Sequence, residues 1–230
     1  MKNKTYDAVI LAAGKSIRYN SSKPKQYLKI NSKNLIDIAI DKIYKTKKIK
    51  NFYIVTDENS SYKPSLKYSN IFLVRGGATR TKSVFNALRY ALKSNIHSEN
   101  ILIHDAARPC VDVKDINRLL DHSQIIKTGL SLGNPLTNAL KKINKKSIVV
   151  SNIKRDNLYM SFTPQLFNFS KLFMAYSDII NKKIQVDDEI EAMSLSNYNV
   201  KIIRASVGNI KLTYQDDLEV IKLLMNNKWE

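Results

Sequence analysis

Residues 7–14, Asp-Ala-Val-Ile-Leu-Ala-Ala-Gly, decide the fold class of this chain. The apolar run at 7–12 is short and is followed by alanine and glycine, which predicts a buried β-strand. Farther along, residues 35–44 carry apolar side chains at helical spacing, with Asn34 as a candidate N-cap. A buried strand that leads into an amphipathic helix is typical of an α/β fold.

Strand-like and helix-like segments continue to alternate along the chain. Short apolar runs predict strands at 52–55, 71–74, 101–104 and 200–203, and helical periodicity predicts helices at 79–92, 114–120, 168–180, 188–195 and 215–225. This order predicts a mainly parallel sheet with helices on both faces. Because such sheets bind ligands beyond the carboxyl ends of their strands, functional residues are expected in the loops after Ala12, Val74 and His104.

The segment at 136–155 departs from this alternation. Its lysines precede a short apolar run at 148–150 and stand at Lys141, Lys142, Lys145 and Lys146. We expect a pair of short, polar strands here, either as a projecting arm or as a solvated surface hairpin. No linker divides the rest of the chain, so residues 1–230 are predicted to form a single domain with this insertion.

The composition is that of a folded protein with an unusual charge. The chain has 230 residues, is 43% hydrophobic and has a formal net charge of +18. No apolar run approaches the roughly 18 residues of a membrane span, the N-terminal residues lack the pattern of a signal peptide, and the single cysteine, Cys110, excludes an internal disulfide. A soluble, cytoplasmic protein is expected. The lysines are spread along the chain, which favours compositional bias over a nucleic-acid-binding arm.

The loop after the first predicted strand carries residues suited to phosphate binding. Ala13 and Gly14 are followed by Arg18 and Lys25. A glycine at this point lets backbone N–H groups approach a phosphate closely, and the two cations add positive charge. A tight turn with solvated cations is the alternative, because the loop matches neither the P-loop nor the dinucleotide-binding pattern.

Later loops add an acidic residue, a glycine pair and a further lysine. Asp105, within His-Asp-Ala-Ala-Arg-Pro at 104–109, can position a metal-bound nucleotide or a sugar hydroxyl, the alternative being a self-contained turn with Arg108. The run Gly-Gly-Ala-Thr-Arg-Thr-Lys-Ser at 76–83 opens a helix whose N-terminus offers unpaired donors. Lys211, before the last helix, is a candidate phosphate contact or a solvated surface charge.

These segments together have the order and spacing of a known family. The motifs are Ala12-Ala13-Gly14 with Arg18, Pro24-Lys25-Gln26-Tyr27, the run at 104–109, Thr163-Pro164-Gln165 and Asn209-Ile210-Lys211. With them, the sequence resembles the 2-C-methyl-D-erythritol 4-phosphate cytidylyltransferase family from about Tyr6 to Leu224. The resemblance implies a Rossmann-like nucleotidyltransferase fold, a homodimer whose β-arms interlock, and transfer of a cytidylyl group from CTP to methylerythritol phosphate with Mg²⁺, in the non-mevalonate isoprenoid pathway.

The same resemblance implies roles for individual residues. Arg18 and Lys25 would stabilise phosphate charge in the transition state. Arg155, from the partner subunit, and Lys211 would position the methylerythritol phosphate. The implied binding residues are Ala13 and Gly14 for the triphosphate, Gly77 and Ser83 for cytosine, Asp105 beside the ribose and the metal-bound phosphates, and Thr163 in the substrate pocket. The resemblance assigns no direct metal ligand.

Three departures from the family pattern leave the acceptor open. Ser16 stands where the family usually has a second glycine, Asn138 and Ala139 replace an Asp-Thr pair, and the run that begins at Val186 lacks a threonine ahead of its acidic pair. A cytidylyltransferase for another polyol phosphate, such as ribitol 5-phosphate, is therefore the first alternative. The second alternative, motivated by the charge, is a non-catalytic nucleic-acid-binding protein. Neither a membrane nor a nucleic acid is the expected partner.

Overall fold

The computed structural model describes residues 5–19, 24–64, 70–122 and 127–226. The β-strands of this part of the chain are β1 (Tyr6–Ala12), β2 (Lys29–Ile30), β3 (Lys33–Asn34), β4 (Ile49–Thr56), β5 (Ile71–Arg75), β6 (Asn100–Asp105), β7 (Gly129–Pro135), β8 (Leu140–Ile143), β9 (Val149–Ile153), β10 (Tyr159–Asn168) and β11 (Val200–Arg204). The α-helices are α1 (Leu35–Tyr44), α2 (Arg80–Lys93), α3 (Val113–His122), α4 (Phe169–Asn181), α5 (Glu189–Leu195) and α6 (Asp216–Asn226).

One large sheet organises the fold, with strand order β11-β7-β10-β6-β1-β4-β5. Strand β1 is near its centre and pairs in parallel with β4 and β6, so that Val9 lies beside both Tyr53 and Ile103. Strand β10 runs antiparallel to its neighbours β6 and β7, and the other pairings in this sheet are parallel. The predicted α/β class with a mainly parallel sheet is confirmed.

Alternate side chains of β1 enter different cores, which explains why its sequence is apolar throughout. Ile10 belongs to the core that includes Ile36 and Ile40 of α1, together with residues of α3. Val9 belongs to the opposite core, where Leu88 of α2 and residues of α4 and α5 pack. The central strand is therefore covered on both faces, and a charged residue at most of its positions would face an apolar core.

Two strands of the sheet, β7 and β10, were absent from the sequence prediction. Strand β7 contains two glycines and a proline, and β10 contains Pro164, all of which weaken a strand signal. Glycine is required at these positions because β10 packs too closely to leave room for a side chain. A Cβ on Gly129 would lie 2.4 Å from the ring of Phe167, its cross-strand partner.

A two-stranded hairpin of β8 and β9 forms a sheet separate from the large one. These strands fall within the segment at 136–155 that was predicted to contain a short pair. Every residue from 141 to 160 is exposed, including apolar side chains such as Ile143, Val149 and Val150. The hairpin consequently adds little to the core of its own chain. Across the described ranges, no helix is both long and apolar enough to cross a bilayer.

Candidate active site

A cleft of about 410 Å³ lies at the carboxyl ends of β1 and β6. The turn between β5 and α2 forms another part of its wall. Eight of the residues singled out from the sequence line it: Ala13, Gly14, Arg18, Lys25, Gly77, Ser83, Asp105 and Lys211. They come from segments up to 198 residues apart in the sequence and meet because parallel strands end at one edge of the sheet. The structure therefore brings these candidate residues together at the edge of the sheet where they were expected.

The loop after β1 is fixed by a glutamine of the Pro24-Lys25-Gln26-Tyr27 motif, to which the sequence alone gives no role. Gln26 is buried, and its Nε2 donates hydrogen bonds to the carbonyl oxygens of Ala12, at 2.6 Å, and Gly14, at 3.2 Å. Apart from its two chain neighbours, no described residue has an atom within 4 Å of a Cβ built on Gly14, so the described part of the chain leaves space beside this loop. The loop is thus anchored from behind and open toward the cleft.

Lys25 shares the cleft with other cations, among them Arg18 and Lys211. Lys25 is partly buried and donates a hydrogen bond from Nζ to the carbonyl oxygen of Leu212 at 2.5 Å. Burial, followed by the positive charges of Lys211 and Arg18, lowers the pKa of Lys25 to about 8, although Asp105 raises it in part. A lysine whose pKa is lowered by neighbouring positive charges lies in a site that a bound anion would stabilise.

Asp105 stands among three cations at the end of β6. Its carboxylate accepts a hydrogen bond from Lys211 Nζ at 2.7 Å and lies 3.7 Å from Arg80 and 3.8 Å from Arg108. Burial alone would raise the pKa of Asp105, but these three charges outweigh it and hold the pKa well below its usual range. Asp105 is therefore ionised at any physiological pH, and its orientation is fixed.

Arg80 also lines the cleft, although the sequence analysis assigned it no role. At the start of α2 it makes a two-pronged ion pair with Glu189, with N–O distances of 2.8 and 2.9 Å. Glu189 is fully buried and also accepts a hydrogen bond from Tyr176 at 3.1 Å. Burial alone would lower the pKa of Arg80, but Glu189 and then Asp105 raise it well above its ordinary value. A charged guanidinium is thus held rigidly in the cleft wall.

The turn before α2 is shaped by Ser83 and a close backbone approach. The Ser83 hydroxyl accepts a hydrogen bond from Gly77 N at 3.0 Å and donates one to the carbonyl oxygen of Thr79 at 2.9 Å. A Cβ on Gly76 would lie 2.6 Å from the Cβ of Ala13, so glycine lets this turn approach the first loop. Ser83 therefore orders the edge of the cleft on which Gly77 lies.

Two of the singled-out residues lie elsewhere. Thr163 is buried behind Asp105, and its hydroxyl accepts a hydrogen bond from Asp105 N at 3.0 Å. Arg155 is exposed after β9 and donates a hydrogen bond to the carbonyl oxygen of Thr137. Within one copy of the chain, neither residue lines the cleft, and Thr163 reaches it only through Asp105.

The departures from the family pattern occupy different surroundings. Val186 lies in the core, and both its backbone N–H and its carbonyl oxygen bond to the Thr81 hydroxyl, so this side chain is not part of the cleft wall. Asn138 and Ala139 are exposed at the base of the hairpin. Ser16 does line the cleft and has a positive φ of 56°. Of these departures, Ser16 bears directly on the site.

Neither the buried His104 nor Cys110 lines the cleft. Burial lowers the pKa of His104 to about 4, so its ring is neutral at physiological pH. Burial raises the pKa of the Cys110 thiol to about 11, which keeps it protonated. The chemistry that the cleft can perform therefore rests on fixed positive charge and one carboxylate.

Comparison with known proteins gives consistent matches over nearly the whole chain. The family model described as IspD, 2-C-methyl-D-erythritol 4-phosphate cytidylyltransferase, matches residues 7–227. Relatives with that name from Vibrio parahaemolyticus and Wigglesworthia glossinidia brevipalpis are 30% and 34% identical; the alignments cover 96% and 94% of this chain and 95% and 93% of theirs.

Solved structures agree with this match. A 4-diphosphocytidyl-2C-methyl-D-erythritol synthase superposes with a TM-score of 0.84 at 25% identity, covering 96% of this chain and 99% of that one. The Francisella tularensis 2-C-methyl-D-erythritol 4-phosphate cytidylyltransferase superposes with a TM-score of 0.80 at 29% identity, covering 96% of this chain and 100% of that one.

Proposed function

The chain belongs to the 2-C-methyl-D-erythritol 4-phosphate cytidylyltransferase family, and from this we propose that it transfers the cytidylyl group of CTP to 2-C-methyl-D-erythritol 4-phosphate, releasing diphosphate. This is a step of non-mevalonate isoprenoid synthesis, and the cytoplasm is the compartment we propose for it. The observation that supports the proposal most strongly is the meeting of Arg18, Lys25 and Lys211 around one cleft at the sheet edge.

The proposed reaction suits a cleft built from fixed charges. A phosphate oxygen of the acceptor forms a bond to the α-phosphorus of CTP, and the bond to the departing diphosphate breaks. Both reactants are polyanions, so their approach is unfavourable until cations such as Arg18, Lys25 and Lys211 offset the repulsion. A phosphate is already largely ionised near neutral pH, which removes the need for a strong general base.

We also propose Mg²⁺ as the cofactor, and the residues of the cleft fit such an ion. Within the described ranges, no three acidic, histidine or cysteine side chains form a metal cluster, and Asp105 is the carboxylate on the cleft wall. Mg²⁺ commonly binds through one or two carboxylates together with substrate phosphates and water. Bound in this manner, Mg²⁺ would neutralise charge on the triphosphate, and Asp105 would be the carboxylate that binds the ion.

A homodimer built through the hairpin is the proposed assembly. The hairpin and the residues that lead from it into β10 expose apolar side chains that their own chain does not cover: Ile143, Ile148, Val149, Val150, Ile153, Leu158, Tyr159 and Met160. Contiguous exposed apolar surface of this kind marks interaction sites. A second copy would cover these side chains and would receive Arg155, which does not line the cleft of its own chain.

Mixing two inactive variants tests whether Arg155 acts across the dimer. Arg18→Ala and Arg155→Ala should each be nearly inactive alone. If Arg155 serves the neighbouring copy, a mixed dimer contains one site with both arginines, and random mixing of equal amounts restores about a quarter of wild-type activity. Diphosphate release measures the recovery, and sedimentation checks that each variant is dimeric. No recovery in exchanged dimers would place Arg155 on its own cleft.

The pH dependence should report the charge on Lys25. The pKa of Lys25 is about 8, so the free enzyme loses this positive charge as the pH rises above that value. We expect kcat/KM for CTP to fall above pH 8, with the corresponding fall in kcat at higher pH because bound phosphates favour the charged lysine. In Lys25→Arg the guanidinium keeps its charge, and the fall near pH 8 should disappear. An unchanged pH profile in this variant would assign the fall to another group.

Diphosphate release from CTP with Mg²⁺ tests the function itself. Methylerythritol 4-phosphate and ribitol 5-phosphate are supplied in parallel, and we expect release with the first acceptor. Release with ribitol 5-phosphate alone would keep the transfer chemistry and change the acceptor. Absence of release with either, together with salt-sensitive binding to nucleic acid, would favour the non-catalytic alternative suggested by the net charge of +18.

A further inference from the structure

Ser16 combines a rare backbone conformation with a place on the cleft wall. Its φ of 56° lies in the left-handed region, where glycine is favoured and a serine has an energetic cost. A residue that keeps this cost at a ligand site often contributes through its side chain. The hydroxyl of Ser16 is therefore the feature to explain.

The Ser16 hydroxyl links the phosphate loop to the segment that carries Lys25. Its Oγ accepts a hydrogen bond from the backbone N–H of Lys25 at 2.9 Å, while its carbonyl oxygen accepts one from Tyr19 N at 3.0 Å. Among the residues that the structure describes, nothing accepts the proton of the hydroxyl itself. That donor lies on the wall of a cleft where Arg18 and Lys211 also gather.

We infer that Ser16 contacts the nucleotide and positions Lys25 at the same time. Its hydroxyl accepts from Lys25 N and donates its own proton to a phosphoryl oxygen of the bound triphosphate. A hydrogen bond to a charged acceptor is stronger than one between neutral groups, and the accepted N–H bond polarises the hydroxyl further. Glycine at this position would offer neither interaction. The inference rests on the proposed use of CTP and identifies a contact for its phosphates.

Three substitutions of Ser16 distinguish the effect of its hydroxyl from the effect of its backbone conformation. Ser16→Ala removes the hydroxyl and keeps the backbone cost, whereas Ser16→Gly removes both. Ser16→Asn suits a positive φ and keeps an acceptor and a donor. Ser32→Gly is the matched control, because Ser32 is exposed in the turn between β2 and β3 with a φ of 69° and does not line the cleft.

The Kd values for CTP and for inorganic triphosphate, measured by calorimetry, provide the main comparison. We expect a rise of about tenfold or more for Ser16→Ala and Ser16→Gly, with partial recovery in Ser16→Asn. Ser16→Gly loses the bond to Lys25 N but relieves the positive φ, so it should be more stable in urea than Ser16→Ala, whereas Ser32→Gly should be at least as stable as wild type with an unchanged Kd. A purely structural role would not separate stability from affinity in this manner.

A second measurement follows Lys25 directly. Acetylation of its amine at low reagent concentration, quantified by mass spectrometry, should be faster in Ser16→Ala than in wild type and less well protected by inorganic triphosphate. Wild-type Kd and labelling in Ser16→Ala would overturn the inference while leaving the proposed function intact. Triphosphate binding that depends on Ser16, without diphosphate release from CTP in the presence of either acceptor, would instead retain the inference and reject the function. Failure of wild type to bind either probe would reject both.

Discussion

Replacing Arg18 with alanine is expected to lower kcat for cytidylyl transfer by about 10²–10³-fold, the usual effect of losing one preorganised charge donor. Arg18 lines the cleft beside Lys25, where its guanidinium can stabilise the charge that develops on the phosphates. Groups that bind the transition state more strongly than the ground state affect kcat more than KM. Steady-state diphosphate release measured over a range of CTP concentrations gives kcat and KM separately.

The control for Arg18→Ala is a substitution with the same change of charge outside the cleft. Arg89 is exposed on α2 and does not line the cleft, so Arg89→Ala should leave kcat within about twofold of wild type if only local charge matters. Equal losses in both variants would attribute the effect to the overall positive charge of the protein. Unchanged turnover in Arg18→Ala would remove this residue from the mechanism.

The location of the site was predictable because it depends on topology. The apolar run at 7–12 and the alternation that follows determine a parallel sheet, and the ends of β1 and β6 then meet without further information. Glycine, arginine and lysine in the adjoining loops have recognisable uses in phosphate binding. Gly14, Arg18 and Asp105 could therefore be found from short stretches of sequence.

The partners that fix these residues could not be found in the same manner. Arg80 is one arginine in a basic chain, and its partner Glu189 lies 109 residues farther along the sequence. The buried amide of Gln26 donates to backbone carbonyl oxygens. Because every residue has such an oxygen, the sequence does not indicate which one accepts the hydrogen bond. Such contacts depend on packing between α2 and α5, or between a loop and a strand, which local periodicity does not encode.

The same limit explains the missed strands and the placement of Thr163. Strand β10 includes Pro164 and pairs irregularly between Phe162 and Gln165, so its pattern is not that of a regular strand. The irregular stretch nevertheless places the Thr163 hydroxyl against Asp105 N. A motif that matched the family could identify Thr163 as relevant, but only the fold distinguishes a residue that supports Asp105 from one that lines the cleft.

Replacing Glu189 with alanine should cause the largest loss of stability, about 3–5 kcal/mol in the free energy of unfolding. The substitution removes the two-pronged partner of the mostly buried Arg80 guanidinium, which keeps only the longer contact to Asp105, and deprives the Tyr176 hydroxyl of its acceptor. Such a loss is a large fraction of the 5–15 kcal/mol typical of a folded domain. Urea unfolding measures it, with Glu191→Gln on the exposed side of the same helix as the control.

A double substitution separates this structural effect from the role of Arg80 in the cleft. Replacing a buried ion pair with apolar residues of similar size is often neutral or stabilising, so Arg80→Met with Glu189→Leu should recover most of the lost stability. It should not recover turnover, because Asp105 loses a cation 3.7 Å away and the cleft loses a fixed charge. Recovery of both stability and diphosphate release would reduce Arg80 to a packing residue, whereas recovery of stability alone assigns its guanidinium to the site.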